Sequence, residues 1–155
     1  DMPLAMEAPA PVAMEAAPVV AMEAAPVSAP AQDQQLQGGS ASDDLVAASG
    51  DDRLSGGSND DRLSGMEGDD HLSGGSGNDY LDGGEGDDTL SGGSSNDYLD
   101  GGAGDDELTG GTGNDTFAFG NGDTVTDFAA GQDMIDLSAK GVTAANFADM
   151  VSITS

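Results

Sequence analysis

One pattern governs this chain. From Gly38 to Ala118 the sequence repeats every nine residues without a gap: GGSASDDLV, AASGDDRLS, GGSNDDRLS, GMEGDDHLS, GGSGNDYLD, GGEGDDTLS, GGSSNDYLD, GGAGDDELT, GGTGNDTFA. The sixth position is always Asp: Asp43, Asp52, Asp61, Asp70, Asp79, Asp88, Asp97, Asp106 and Asp115. The eighth is always large and apolar: Leu45, Leu54, Leu63, Leu72, Leu81, Leu90, Leu99, Leu108 and Phe117. A layered globule has no use for so short a fixed period. A solenoid, in which each unit packs only on its neighbours, requires one.

The last three residues of each copy alternate polar, apolar, polar, which is a minimal strand with one side chain facing inward. The first six are mostly Gly, Ser, Asn and Asp, which favour turns and tolerate positive φ. This predicts a three-residue strand and a six-residue turn per copy, with two copies completing an 18-residue coil. Coils then stack as parallel strands about 4.8 Å apart. Asp43, Asp61, Asp79, Asp97 and Asp115 fall in one column of turns, and Asp52, Asp70, Asp88 and Asp106 in the other. Carboxylates at that spacing repel each other, more strongly as water is excluded. A divalent ion in each gap reverses the sign. Calcium accepts six to eight oxygens, backbone carbonyls included, and tolerates irregular geometry. Four gaps in one column and three in the other predict about seven calcium ions.

Composition narrows the function. The 155 residues carry 30 Asp+Glu against 3 Lys+Arg, a formal net charge of -27, so no basic face for nucleic acid can form. Without Cys there is no disulfide scaffold, thiolate zinc site or cysteine nucleophile. The lone His71 supplies neither a histidine metal cluster nor a catalytic partner set, and reads as a surface residue. No apolar run reaches the 18 residues that a membrane-spanning helix needs. There is no HExxH and no nucleophile elbow, and a lattice of like Asp-Asp pairs lacks the two distinct environments of glycosidase carboxylates. The chain is therefore expected not to be an enzyme. With one large apolar side chain per nine residues, many glycines and strong self-repulsion, the metal-free chain is expected to be disordered. Calcium binding then becomes folding free energy.

The nonapeptides resemble the RTX (repeats-in-toxin) consensus GGxGxDxUx, with U large and apolar. The resemblance covers 38–118 and implies an all-β, right-handed parallel β-roll (β-solenoid) of nine repeats with calcium between turns. It also implies export by a type I secretion system and folding outside the cell. Carried over position by position, it makes the nine sixth-position aspartates the calcium ligands and has glycines such as Gly75, Gly77, Gly84 and Gly86 shape the loops. The copies depart from the consensus at Ala41, Asn59 and Ser95, at Ala47-Ala48 and at Met66.

Residues 119–155 are expected to form a strand-and-helix cap. GNGDTVTDFAAGQDMIDLS resembles the segment after the repeats in serralysin-type C-terminal regions. Thr124–Phe128 and Met134–Leu137 read as strands, Thr143 to Met150 as a short helix, and Val151–Thr154 as a restarting strand. Asp123, Asp127, Asp133 and Asp136 are candidates for a further calcium site, Asp127 and Asp133 foremost; turn formation is the equal alternative. The chain stops in mid-pattern, so a secretion signal is expected beyond Ser155. Residues 1–37 repeat Met-Glu-Ala at Met6, Met14 and Met22, each followed by Pro, and read as an extended, polyproline-like linker or tether. The sharper reading has their Met and Val side chains dock on a partner protein of an assembly or surface. Together these features predict an extracellular or cell-surface calcium-binding module with a structural or adhesive role. The alternative is the C-terminal calcium-binding and secretion domain of an extracellular enzyme such as a serralysin-like protease or a lipase.

Overall fold

A computed structural model describes residues 19–21, 26–27, 32–118, 120, 122–138 and 152–153. Fifteen strands follow one another: β1 (Val19–Ala21), β2 (Pro26–Val27), β3 (Gln35–Gln37), β4 (Asp44–Val46), β5 (Arg53–Ser58), β6 (Arg62–Glu67), β7 (His71–Ser76), β8 (Tyr80–Glu85), β9 (Thr89–Ser94), β10 (Tyr98–Ala103), β11 (Glu107–Thr112), β12 (Thr116–Ala118), β13 (Thr124–Val125), β14 (Met134–Asp136) and β15 (Ser152–Ile153). Odd strands form one sheet of eight, and even strands form a sheet of seven. Every pairing is parallel, and in the repeats the partner lies 18 residues away, as in Leu54↔Leu72 and Leu81↔Leu99. The chain is thus the expected β-solenoid, two sheets wound face to face. Among the described residues there is no helix, and so none long and apolar enough to cross a membrane. The helix expected over Thr143 to Met150 lies outside the described residues, as do Met6, Met14 and Met22.

The strands correct one expectation. From β5 to β11 they are six residues long, not three, and run from the seventh position through the third of the next copy, while β4 and β12 at the ends of the repeats keep three. The burial of His71–Ser76 alternates from exposed to buried to intermediate, so Leu72 and Gly74 both face inward. Composition marks the glycine pair as turn, but period-2 alternation carries the strand through it. The inward glycine leaves room for something else. A Cβ on Gly74 would collide with Oδ2 of Asp79, and one on Gly83 with Oδ2 of Asp88.

The interior is a single file of side chains drawn alternately from the two sheets. Leu45, Leu63, Leu72, Leu81, Leu90, Leu99, Leu108 and Phe117 are fully buried. The file extends beyond the nonapeptides: Leu36 joins it from β3 and Val125 from β13, with Phe128 and Ile135 packed against it. Backbone pairing extends further still, Val19–Ala21 against Gln35–Gln37 and Pro26–Val27 against Asp44–Leu45. At the far end the register drops to 17 residues, Glu107↔Thr124. On the outer face of the even sheet Tyr80 and Tyr98 stack in parallel, ring centroids 5.0 Å apart, as their 18-residue spacing predicts. Arg62 lies over the Tyr80 ring, 4.4 Å from its centroid.

Candidate metal centre

Long strands leave only the fourth, fifth and sixth positions to turn the chain, and the sixth-position carboxylate folds back inside. Eight of these aspartates, from Asp52 to Asp115, and Asp43 with them, are nearly inaccessible; Asp52 is 1% exposed and Asp61 4%. In each column Oδ1 accepts the backbone N–H of the aspartate one coil earlier. Asp43 donates to Asp61 at 2.8 Å, Asp61 to Asp79 at 2.8 Å, Asp79 to Asp97 at 2.8 Å and Asp97 to Asp115 at 2.9 Å. Along the other edge Asp52 donates to Asp70 at 2.7 Å, Asp70 to Asp88 at 2.8 Å and Asp88 to Asp106 at 2.8 Å. Both columns predicted from the period are therefore present.

The second oxygen is treated differently. Oδ2 of Asp52, Asp61, Asp70, Asp79, Asp88, Asp97 and Asp106 is buried with no hydrogen-bond partner. A buried acceptor in that state is costly, more so when charged. Burial is the main cause that pushes these carboxyls upward, opposed by the backbone N–H they accept and reinforced by neighbouring carboxylates. Asp61, Asp70 and Asp106 rise to about 6, and Asp88 and Asp97 to about 7. Asp52, Asp79 and Asp115 are raised as well, again chiefly by burial. Near neutral pH each column lacks positive charge.

The backbone brings further oxygens to the same gaps. A Cβ on Gly92 would lie 2.7 Å from the Gly110 carbonyl oxygen of the next coil, beside Oδ2 of Asp97. Fourth-position carbonyls point along the stack: a Cβ on Gly86 would strike the Gly68 oxygen, and one on Gly104 the Gly86 oxygen. Among the described residues no three His, Asp or Glu side chains converge into a metal cluster. The donor set is one carboxylate per turn with main-chain carbonyls, all oxygen. That suits a hard cation tolerant of irregular geometry, such as calcium, and not zinc or another transition metal.

The remaining sequence candidates divide. Asp133 extends one column, its Oδ1 accepting the Asp115 N–H at 3.0 Å and its Oδ2 the Ala129 N–H at 2.7 Å. Asp127 stands apart from both columns; its two oxygens accept the N–H groups of Gly110 and Gly111 at 2.9 and 2.7 Å. Asp123, named with them from the sequence, continues the other column and accepts the Asp106 N–H at 3.3 Å. Its signal is the Gly122-Asp123 pair, displaced by the one-residue shortening of that coil. His71 lies exposed on the odd sheet beside Arg53 and Thr89, with no acid or base partner among the described residues.

Sequence reasoning also passed over a second, outer ladder at the fifth position. Here the side chain accepts from the following coil: Asp51 accepts the Asp69 N–H at 3.1 Å, Asp69 that of Asp87 at 3.0 Å and Asp87 that of Asp105 at 2.9 Å. On the opposite edge Asn96 donates to Asn78 at 3.1 Å and Asn114 to Asn96 at 2.9 Å.

A family model of the RTX calcium-binding nonapeptide repeat matches the chain in four overlapping copies, over residues 37–72, 55–90, 64–98 and 91–125. No curated protein matches the chain. The match ends at residue 125, before most of the segment likened to serralysin-type regions. It spans more than half of the 155 residues and contains every nonapeptide aspartate whose second oxygen is buried without a partner. The chain belongs to the family of RTX calcium-binding nonapeptide repeat proteins.

Proposed function

We propose that this chain is a calcium-folded module of a secreted or cell-surface bacterial protein, and that it acts as a structural or adhesive element, not as a catalyst. The observation that carries the proposal is the set of buried, partnerless Oδ2 atoms stacked in two columns. Each ion sits between successive coils, held by the sixth-position aspartates and turn carbonyls. Nonapeptide gaps alone take about seven ions and lower the net charge from -27 to about -13. Asp123 and Asp133 add one gap to each column.

The physiological sense follows from the charge. At low cytosolic calcium the two columns repel and the chain stays unfolded, in a state suited to export through a narrow channel. Millimolar calcium outside the cell supplies the missing cations, and binding becomes folding. A protein partner met along residues 1–37, whose Val19–Ala21 and Pro26–Val27 pair with the roll, belongs to the same proposal. Far-UV circular dichroism tests it. The chelated chain should give a coil spectrum, and millimolar calcium should produce cooperative β signal. Magnesium, which demands octahedral geometry and keeps its waters, should substitute poorly. A β spectrum that persists in chelator refutes the proposal.

A further inference from the structure

The two turn edges of the roll are not chemically equal. Turns that lead into the odd sheet read Gly50-Asp51-Asp52, Gly68-Asp69-Asp70, Gly86-Asp87-Asp88 and Gly104-Asp105-Asp106. Turns that lead into the even sheet read Asn59-Asp60-Asp61, Gly77-Asn78-Asp79, Ser95-Asn96-Asp97 and Gly113-Asn114-Asp115. On the first edge each buried aspartate has an exposed carboxylate beside it in the ladder Asp33, Asp51, Asp69, Asp87, Asp105. On the second, neutral Asn78, Asn96 and Asn114 occupy that place. The acidic row alone would be only a solvated edge. It lies against Asp52, Asp70, Asp88 and Asp106, whose buried Oδ2 atoms lack partners.

Building on the calcium reading, we infer that the roll has two classes of calcium site segregated by edge, and that the Gly-Asp-Asp edge loads first. One doubly charged ion per gap meets two carboxylates per coil on that edge, so ions stack with no net charge. On the Asn edge each ion meets one carboxylate per coil from Asp79 to Asp115, and successive ions repel through an unbalanced unit charge. The backbone adds to the difference. The first edge has Gly at every fourth position from Gly50 to Gly104, with φ between 122° and 143°. The second forces Asn59 to φ 78° and Ser95 to φ 91°, left-handed geometry that a side chain resists and that ion binding must overcome. A unit charge acting on a divalent ion one turn-width away separates the classes by about tenfold in affinity even at high dielectric.

Calorimetric calcium titration of the full chain tests this with two charge-swapped variants at exposed positions that donate no proposed ligand. The parent should show two classes of sites. Asp51→Asn, Asp69→Asn, Asp87→Asn and Asp105→Asn combined should weaken the tight class about tenfold and merge it with the weak one, at unchanged stoichiometry. Asn78→Asp, Asn96→Asp and Asn114→Asp combined should tighten the weak class and spare the tight one. A parent with one class of sites, or variants that move both classes equally, overturns the inference while leaving calcium-driven folding intact. A parent that binds no calcium overturns both.

Discussion

Asp97→Asn should change sign with the solvent. Asp97 sits mid-column, its Oδ1 accepting the Asp79 N–H at 2.8 Å while its own N–H is given to Asp115 at 2.9 Å. An asparagine keeps both bonds, because its oxygen takes the place of Oδ1. What changes is the other atom, a buried oxygen without a partner that becomes an uncharged NH2. A buried unsatisfied acceptor costs about 1–3 kcal/mol, and more when it is charged. Burial pushes this carboxyl up to about 7, so at pH 8 it is mostly ionised in the fold and the cost is present. Without calcium the variant should therefore be more stable than the parent, because the amide, though its buried NH2 is unpaired in turn, carries no charge. With calcium the comparison reverses. One unit charge 4 Å from a divalent ion is worth about 2 kcal/mol even in water, so the calcium midpoint should rise at least about tenfold. Trimethylamine oxide drives folding by exclusion from the protein surface, and its midpoint in chelator measures the first effect. A calcium titration followed by circular dichroism measures the second. If Asp97→Asn lowers stability in chelator as well as in calcium, the carboxylate is an ordinary structural cap and the reasoning from its orphaned oxygen fails.

Acid should partly replace calcium. Burial raises Asp61, Asp70, Asp88, Asp97 and Asp106 to about 6 to 7 in the fold, against 3.8 for an ordinary aspartate, so the fold holds protons that the unfolded chain releases. Their contribution to metal-free stability is thus full below 3.8 and is lost as pH rises through 6 to 7. The trimethylamine oxide midpoint of the chelated chain should fall as pH drops across that window, and a flat or opposite profile would count against it. The inward glycines should be intolerant where they border a carboxylate: a Cβ on Gly92 lies 2.7 Å from both Asp97 Cβ and the Gly110 oxygen, whereas one on Gly39 meets nothing within 4 Å. Gly92→Ala should raise the calcium needed for folding several-fold, and Gly39→Ala should leave it nearly unchanged; equal effects would show that the space beside Asp97 is not what the glycine preserves.

Much of this architecture was legible because the nonapeptides contain no insertion. An uninterrupted period of nine puts Leu54, Leu72 and Leu90 in one sheet and Leu63, Leu81 and Leu99 in the other, and the same arithmetic stacks Asp61 on Asp79 and Asp70 on Asp88. Strand length was not legible. Gly74-Gly75 has the propensity of a turn, and nothing local says that Gly74 continues the inward alternation begun by Leu72. Its place is set by Asp79, five residues on, which needs the space that any side chain at 74 would fill. That is a tertiary constraint expressed as a local absence. The place of Asp123 in its column escaped for a related reason: one residue fewer in its coil breaks the count of nine without breaking the ladder.

The fifth position shows how a repeat can hide chemistry. Read as a consensus it is simply Asp or Asn, both short, both able to accept a hydrogen bond from the next coil, and the ladders through Asp69 and Asn96 differ little in distance. Backbone geometry therefore treats them alike. Electrostatics does not, and a period of nine averages over a difference that only the 18-residue coil resolves. Sorted by coil, the aspartates gather at 51, 69, 87 and 105 on one edge and the asparagines at 78, 96 and 114 on the other, where Asp60 is the exception. The hydrogen-bonding role can be met by either residue, so it cannot account for that segregation. Charge can: on one edge the carboxylates match the ions two for one, and on the other they do not, which makes the edge, not the nonapeptide, the unit in which this roll binds its metal.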